Sequence, residues 1–358
     1  MLEAQPFEVA STVVTRQLRR RVQTLFQVLV LVVLTQLSGD AAPPFSGTIF
    51  LDPDIVTAAD PSAFSSASYV GIGRRQVYDR RTNAFSMTDM HLVRTTYHDD
   101  RTIEAQVNLE FGSPEAARVE AEKYARLVGQ LPAILRSKVQ TLWIHKGVQA
   151  FGGGNANLLI HTGQAELYIT QGIIEETLIH EATHTSIDPD HANAAGWVAA
   201  QRADPEFIST YARDNPTRED LAESLLLQLA FRHRKDRITT TLASTIERSI
   251  PNRIVYFDQQ NFNLYPFLTV PAAIAAVTDD PAVDAGQATT LNVGATGSVP
   301  MSYQWYLGAS PDTSTPIEGA NASSFTTPPL SSTAEFWVQA SNPYGPVANS
   351  RTIRVTVQ

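Results

Sequence analysis

The pattern of apolar and polar positions divides the chain into two parts of different character. Between residues 43 and 268, short alternating runs are interleaved with longer stretches whose apolar residues recur at helical spacing. From about Pro271 onward the chain is rich in Thr, Ser, Ala, Pro and Gly, and its apolar residues alternate with polar ones. The pattern therefore predicts an α+β domain followed by an all-β domain.

The first part contains one helix with clear start and stop signals. Ser113 is a capping residue, Pro114 suits the first turn, and Glu115 carries negative charge at the positive end of the helix. Gly129 and then Pro132 end it. The predicted buried stripe consists of Ala117, Ala121, Tyr124 and Val128.

Several strands are predicted around this helix. Thr48–Leu51 forms an apolar run, and Ile103–Glu110 alternates apolar with polar residues, which indicates a half-exposed strand. Two more strands are predicted at Val139–His145 and Leu158–Thr162, joined through the glycine triplet of residues 152–154. A phosphate-binding loop is disfavoured there, because no Lys-Ser/Thr pair follows the glycines. A tight hairpin is the simpler interpretation.

Composition and charge narrow the classes of function. The formal net charge is −9, which argues against nucleic acid or an anionic membrane as the main partner. The chain has no cysteine, which excludes disulfides, thiol catalysis and cysteine zinc sites. Histidines and carboxylates remain as the available metal ligands.

The first 42 residues have the three parts of a secretory signal. A basic region ending at Arg21 is followed by the apolar run 25–34 and then by small residues from Ser38 to Ala42. We expect a leader over residues 1–42 that directs export, with cleavage between Ser38 and Ala42. The alternative is an uncleaved signal anchor, because residues 22–37 have enough apolar character to cross a thin bilayer.

The stretch 175–184 carries the strongest chemical signal in the chain. It contains His180-Glu181-Ala182-Thr183-His184, and on a helix the two histidines lie on one face at positions i and i+4. They can hold one metal ion together. Glu181 lies beside the first ligand, where its carboxylate can take a proton from a water molecule polarised by the ion.

A hydrolytic zinc site needs a third protein ligand, and two candidates compete. Asp190 or His191 follows soon after the second histidine, but no glycine allows the turn and no methionine lies between Met90 and Met301. The alternative is a predicted helix that begins near Asn215 and places Glu219 and Glu223 on one face. With Glu219 as the ligand, Glu223 accepts the ring N–H of a liganded histidine. The reverse assignment stays open.

The chain resembles the gluzincin class of zinc metallopeptidases in three segments, residues 175–184, 211–216 and 219–223. The E-x-x-A-E form is similar to the lethal-factor-type branch. The resemblance implies a zincin-like metallopeptidase domain over residues 43–268 with Zn²⁺ held by His180, His184 and Glu219. It also implies that Tyr211 supports the oxyanion, a role for which His233 is the alternative candidate. In such peptidases an edge strand, expected here at Leu158–Thr162, pairs with an extended peptide.

Residues 269–358 resemble bacterial immunoglobulin-like domains. The runs 303–306 and 336–342 are similar to the strand C and strand F signatures of that fold. Val293 and Val338 stand at the positions of the intersheet cysteines, and Phe336 replaces the corner tyrosine. The resemblance implies an all-β sandwich without the disulfide, which acts as a spacer or makes contacts with a cell surface or matrix.

The sequence therefore predicts a secreted or cell-surface zinc metallopeptidase that acts on a protein or peptide substrate. Its zinc ligands are His180, His184 and Glu219, with Glu181 and Tyr211 as catalytic residues. The competing interpretation is a non-catalytic extracellular binding or attachment protein with a peptidase-like fold. A metallohydrolase that acts on another amide is a third.

Overall fold

A computed structural model describes residues 42–52 and 54–358, so the predicted leader lies almost entirely outside the described residues. The chain divides into two compact units. The first comprises residues 42–62, 66–95 and 102–264 of the described chain, and the second comprises residues 63–65, 96–101 and 265–358. The first unit combines helices with a sheet, as the α+β pattern predicts.

A six-stranded sheet forms the frame of the first part of the chain. Its order is β1-β2-β3-β4-β6-β5, and β3, β4 and β6 run parallel to one another, whereas β5 is antiparallel to β6. The predicted strand at Ile103 is confirmed up to Asn108, beyond which a 3-10 turn leaves Leu109 exposed. The strands are β1 (Phe64–Asp79), β2 (Ala84–Tyr97), β3 (Thr102–Asn108), β4 (Thr141–His145), β5 (Gly152–Gly154) and β6 (Asn157–His161).

Helices follow or connect these strands, and α1 agrees with its sequence signals. The Ser113 hydroxyl accepts the backbone N–H of Ala116, and the predicted stripe is buried. The helices are α1 (Pro114–Gln130), α2 (Ala133–Arg136), α3 (Thr162–Gln171), α4 (Ile174–Ser186), α5 (Asp188–His191), α6 (Ala195–Ala203), α7 (Thr210–Asp214), α8 (Asp220–His233), α9 (Thr240–Ser249) and α10 (Pro251–Asp258).

The strand predicted at Leu158–Thr162 is confirmed up to His161, but its predicted position at the edge of the sheet is wrong. It forms β6 (Asn157–His161), which is buried and hydrogen-bonded to β4 on one side and β5 on the other. The glycine triplet forms the edge strand β5 instead, and a turn in which Asn155 and Ala156 both have positive φ connects β5 to β6. Three residues without side chains gave no alternation, so the sequence offered no strand signal at the true edge.

The predicted strand at Thr48–Leu51 is also wrong. The segment pairs with no strand of the described chain, and side-chain carboxylates accept the backbone N–H groups of two of its residues. Ile49 donates to Glu223 Oε2 at 3.2 Å, and Leu51 donates to Glu176 Oε2 at 2.7 Å. Both carboxylates are buried, so each bond gives a hydrogen-bond partner to a backbone N–H group and to a buried carboxylate oxygen.

The glycine hairpin is fixed directly to helix α4. The hydroxyl of Thr185 accepts the N–H of Gly154 at 2.7 Å and donates to the carbonyl of Asn157 at 2.8 Å. The backbone of Gly153 packs so closely that a β-carbon there would lie 1.8 Å from the carbonyl oxygen of Glu181. Only glycine at residue 153 allows this approach of strand to helix.

We expect Gly153→Ala to destabilise the first unit by about 2–3 kcal/mol, because strand β5 or helix α4 has to move away. Urea denaturation followed by circular dichroism measures the change. Gly152→Ala is the matched control, since a β-carbon there comes no closer than 3.0 Å to the flexible end of the Arg80 side chain and 3.6 Å to Leu159 Cβ. Equal costs for the two substitutions would contradict the close approach at Gly153.

Two buried histidines lie side by side at the ends of the parallel strands β4 and β6. His145 and His161 are paired in register, with ring centroids 5.6 Å apart and no exposed surface. The side-chain amide of Asn108 donates to Nδ1 of His145 at 3.1 Å, which requires a neutral ring. Burial lowers the pKa of His145 to about 4, and the neighbouring His161 adds to this shift.

Acid is therefore expected to destabilise the protein through His145. An unfolded histidine binds its proton near pH 6.5, whereas folded His145 binds it near pH 4, so the unfolded state holds more protons in between. The stability is fully present above pH 6.5 and falls by about 3 kcal/mol as the pH drops to 4. Urea denaturation at pH 7 and pH 4.5 should show a smaller difference for His145→Gln than for wild type. His98→Gln is the control, and an unchanged pH dependence in His145→Gln would refute the assignment.

The second unit contains two sheets whose strand pairs are antiparallel, except that β8 runs parallel to β14. One sheet has the order β10-β12-β14-β8, with β13 paired to β12, and the other has the order β11-β9-β7. The strands predicted from alternation are confirmed as β9, β10, β12 and β14, although burial alternates clearly only in β9 and β14. The strands are β7 (Ala273–Val277), β8 (Ala282–Val283), β9 (Thr290–Thr296), β10 (Ser302–Leu307), β11 (Ser324–Thr326), β12 (Ala334–Ser341), β13 (Ala348–Asn349) and β14 (Ile353–Val357).

The core of this unit explains how it does without a disulfide. Trp305 is fully buried, and its indole N–H donates to the carbonyl of Ala322 at 3.0 Å. Val293 and Val338, at the positions expected for cysteines, belong to the same apolar cluster, as does Phe336. Apolar packing thus replaces the covalent link between the sheets.

Helices able to cross a membrane are not found in the described part of the chain, since none of them is both long enough and apolar enough.

Candidate metal centre

Helix α4 presents the two histidines of the sequence motif on one face. It runs from Ile174 to Ser186, so both histidines lie inside it, one turn apart. Their Nε2 atoms are 3.1 Å apart and their rings are nearly perpendicular. Two ring nitrogens at this distance point to a common position in front of the helix.

Glu219 completes the group from a distant part of the chain. It is the residue before helix α8, and its Oε2 lies 3.3 Å from Nε2 of His180 and 3.2 Å from Nε2 of His184. Ligands about 2.0–2.1 Å from a tetrahedral zinc ion are roughly 3.3 Å from one another, by the geometry of a tetrahedron. The three donor atoms are close enough together for the three residues to hold one metal ion.

Glu223 lies on the other side of the His180 ring. Its Oε1 is 3.6 Å from Nδ1 of His180, while its Oε2 accepts the hydroxyl of Ser209 at 2.8 Å and the N–H of Ile49 at 3.2 Å. The structure thus brings Glu219, and not Glu223, to both Nε2 atoms. Glu223 is placed to orient the ring of His180, as the sequence predicts for the carboxylate that is not a ligand.

Asp188 is a residue of the site that the sequence analysis missed. Its Oδ2 lies 2.7 Å from Nδ1 of His184, on the side of the ring opposite to Glu219. The signal was present, because Asp188 follows His184 by four residues. Each of the two histidines therefore has a carboxylate at its Nδ1 atom.

We expect Asp188→Asn to weaken zinc binding about 10- to 100-fold, because the amide no longer favours the ring N–H at Nδ1 or adds negative charge behind it. Competition with a chelator of known affinity measures the change. Asp190→Asn is the matched control, since Asp190 pairs with Lys138 on the surface. The same affinity in both variants would show that Asp188 has no part in the site.

The charges of these groups are strongly coupled. Burial alone lowers the pKa of His184, but hydrogen bonds with Asp188 and Glu219 outweigh burial and raise this pKa well above its ordinary value. The same competition raises the pKa of His180. The pKa of Glu219 is held low because hydrogen bonds from the two histidines outweigh its burial. The carboxylates therefore stabilise positive charge on the two histidines, and the histidines stabilise negative charge on Glu219.

Glu181 and Tyr211, the two predicted catalytic residues, lie close to this cluster. Glu181 is buried, and its charge raises the pKa of His180, of His184 and of Tyr211. Tyr211 is in α7, whose first turn is capped by Ser209, and its side chain hydrogen-bonds to Glu219. Burial raises the pKa of Tyr211, so its hydroxyl keeps its proton.

The remaining candidates lie elsewhere. Asp190 pairs with Lys138, and Nδ1 of His191 lies 2.6 Å from the hydroxyl of Tyr256. His233 is at the far end of α8, fourteen residues from Glu219 in sequence, which is roughly 20 Å along a helix. Its proposed role as an alternative to Tyr211 is therefore wrong.

Comparison with known proteins bears on the second unit. Residues 271–358 match the family "Ig-like domain CHU_C associated". No curated protein matches the chain. Solved structures similar to it include DIP-gamma IG1+IG2 and a chimeric titin Z1Z2 functionalized with a KLER exogenous peptide from decorin.

Both similarities are limited in extent. DIP-gamma shares 24% identity over 25% of this chain and 49% of its own, with a TM-score of 0.21. The titin chimera shares 16% identity over 25% of this chain and 96% of its own, with a TM-score of 0.20. The chain thus spans about half the length of the first of these structures. The family match and the two-layer topology show that residues 271–358 form an immunoglobulin-like domain.

Proposed function

We propose that residues 43–268 form a zincin-like, zinc-dependent metallopeptidase domain of an exported protein. The observation that carries this proposal is the convergence of three donor atoms, 3.1–3.3 Å from one another, beside the buried carboxylate of Glu181. Two histidines and one glutamate leave a fourth position for water, which is the arrangement of catalytic zinc sites.

Zinc would supply a Lewis acid that acidifies water and polarises the carbonyl of the scissile bond. Two side chains of the protein would assist the reaction, one by transferring a proton and the other by donating a hydrogen bond. Glu181 takes the proton of the attacking water and delivers it to the leaving amine. The hydroxyl of Tyr211, which keeps its proton and hydrogen-bonds to Glu219, would turn from Glu219 to donate to the carbonyl oxygen as negative charge develops on it.

An extended peptide is the substrate that this site favours. Strand β5 ends the sheet, and no strand of the described chain pairs with its outer side. Its backbone is fixed to helix α4 next to the candidate metal ligands, through Thr185 and through the packing of Gly153. A peptide that adds to this edge would present its backbone close to Glu181.

Metal content together with peptide hydrolysis tests the proposal. We expect one zinc ion per chain in the purified protein, and cleavage of members of a peptide library that stops on chelation and resumes on adding zinc. His184→Ala and Glu219→Gln should lose the zinc, whereas the control His191→Ala should retain it. A protein that binds no zinc at neutral pH would overturn the proposal.

The immunoglobulin-like domain supports a location outside the cell or on its surface. Domains associated with this family are typical of extracellular or surface proteins, and the predicted export signal agrees with that location. The same domain favours the second candidate function, an attachment protein whose first unit does not catalyse hydrolysis. A zinc-loaded protein that cleaves no peptide, while the C-terminal domain binds a surface or matrix component, would favour this candidate.

A further inference from the structure

A deep groove lies next to strand β5, on the face of the sheet turned away from helix α4. Its volume is about 750 Å³, and it is lined by residues from strands β1, β2, β4, β5 and β6. Trp143 and Leu159 point into it, whereas their neighbours Ile144 and Ile160 point to the other face of the sheet. The groove passes the glycine edge and reaches Arg218, the residue before the candidate ligand Glu219.

Aromatic rings form one wall of the groove. The centroids of Tyr78 and Phe85 are 5.0 Å apart, and Phe85 meets Trp143 edge to face with centroids 6.1 Å apart. Phe85 is 54% exposed although it is a large apolar side chain. This wall offers an apolar contact surface that the protein itself does not cover.

The charge of the groove is opposite to that of the chain. Arg80 and Arg218 line it, and none of its lining residues is acidic, although the whole chain has a formal charge of −9. Arg80 rests against the backbone of Gly152, where a β-carbon would lie 3.0 Å from its Nη2. A side chain at residue 152 would therefore crowd the guanidinium group.

Arg80 lacks the partners that its neighbour has. Its Nε is buried without a hydrogen-bond partner, and none of the ion pairs within residues 42–52 and 54–358 involves it. Arg81, by contrast, pairs with both Asp79 and Glu110. A buried guanidinium N–H without an acceptor is costly, and a carboxylate matches its geometry.

Arg218 occupies the end of the groove nearest to the candidate metal ligands. Its Nη2 is 3.5 Å from Oε1 of Glu219, and its side chain is 63% exposed. Its charge is therefore partly engaged by Glu219, whereas the guanidinium of Arg80 remains available for a ligand.

We infer that this groove binds a carboxylate of the substrate at Arg80, with an apolar neighbour of that group against the aromatic wall. The inference deepens the proposed peptidase function and rests on it. The preferred substrate is then a peptide with an acidic residue on the side of the scissile bond that enters the groove. The carboxylate can belong to an aspartate or glutamate side chain or to the peptide's own C-terminus.

Matched peptides test this specificity on the zinc-loaded full chain. A cleaved library peptide is made with Glu or Gln at each position in turn, and with a free or amidated C-terminus. We expect kcat/KM to favour one carboxylate form about tenfold, the effect of a hydrogen-bonded charge pair. Arg80→Met should reduce this preference to below twofold, because the rate on the carboxylate peptide falls more than the rate on the Gln or amidated peptide. Circular dichroism shows whether the variant is folded.

Arg75→Met is the matched control, because Arg75 lies on strand β1, which ends just before Arg80, but pairs with Glu104 and does not line the groove. It should keep the full preference. Equal losses on both peptides in Arg80→Met, or no carboxylate preference in wild type, would overturn the inference. Whether the side-chain pair or the terminal pair shows the preference identifies the source of the carboxylate.

A binding measurement tests this inference independently of the proposed peptidase function. In the variant Glu181→Gln, the affinity for fluorescent Glu and Gln peptides is measured by anisotropy, without any need for cleavage. A tenfold preference that disappears with Arg80→Met supports the groove even if wild type hydrolyses nothing. Cleavage by wild type together with equal affinities for the two peptides refutes the groove and leaves the peptidase function standing.

Discussion

Replacing Glu181 by glutamine is expected to lower the rate of peptide hydrolysis about 1,000-fold while zinc stays bound. Glutamine has nearly the same shape but cannot take the proton of the attacking water, and general-base catalysis contributes about 10²–10⁴-fold. The three candidate ligands are His180, His184 and Glu219, so the substitution leaves the metal site complete. Single-turnover hydrolysis of a fluorogenic peptide, with zinc content measured on the same sample, checks both parts.

The control for this substitution is Glu175→Gln, another buried glutamate of helix α4 that lies outside the cluster of candidate ligands. It should leave kcat/KM within about twofold of wild type. The general-base role of Glu181 fails if Glu181→Gln retains its zinc and still hydrolyses the peptide at the wild-type rate.

Arg253→Met is expected to reduce the free energy of unfolding by about 4 kcal/mol, the range found when one partner of a buried ion pair is removed. Arg253 has no exposed surface. Its Nε donates to Asp220 Oδ2 and its Nη1 donates to Asp204 Oδ2, both at 2.9 Å. Methionine fills similar space but leaves both buried carboxylates without this partner. Urea denaturation at pH 7 gives the change.

A surface ion pair on the same unit provides the comparison. Arg232 and Asp258 are 2.6 Å apart but about one third exposed, so Arg232→Met should cost less than about 1 kcal/mol. Asp220 directly follows Glu219, and Arg253→Met should therefore also weaken zinc binding. Equal losses of stability in the two variants would contradict a special contribution from the buried group.

Local patterns predicted the elements whose signals lie within a few residues. The capping serine and proline of α1, the i, i+4 histidines of α4 and the alternation in β9, β10, β12 and β14 all depend on neighbours in sequence. The immunoglobulin-like domain was identifiable for the same reason. Packing in the folded chain does not change which face of such an element is apolar.

Features that depend on contacts between distant residues leave no local pattern in the sequence. The glycine edge strand has no side chains to show a pattern, and the segment at Ile49 looks like a strand although its partners are carboxylates. Asp188 is different, because its spacing of four residues from His184 was a local signal that was overlooked. The pairing of Glu219 with the histidines was inferred from a resemblance and spans 39 residues of chain.

The hydrogen bonds of the N-terminal segment have a consequence for how the protein is made. Ile49 and Glu223 are 174 residues apart, and Leu51 and Glu176 are 125 residues apart. Contacts of such separation form late and slow folding. On the ribosome, Glu223 emerges long after its backbone partner, so the ring of His180 acquires its final orientation only when most of the domain has been synthesised. A fragment that begins after Leu51 would leave Glu223 Oε2 with Ser209 as its remaining donor and Glu176 without its shortest hydrogen bond.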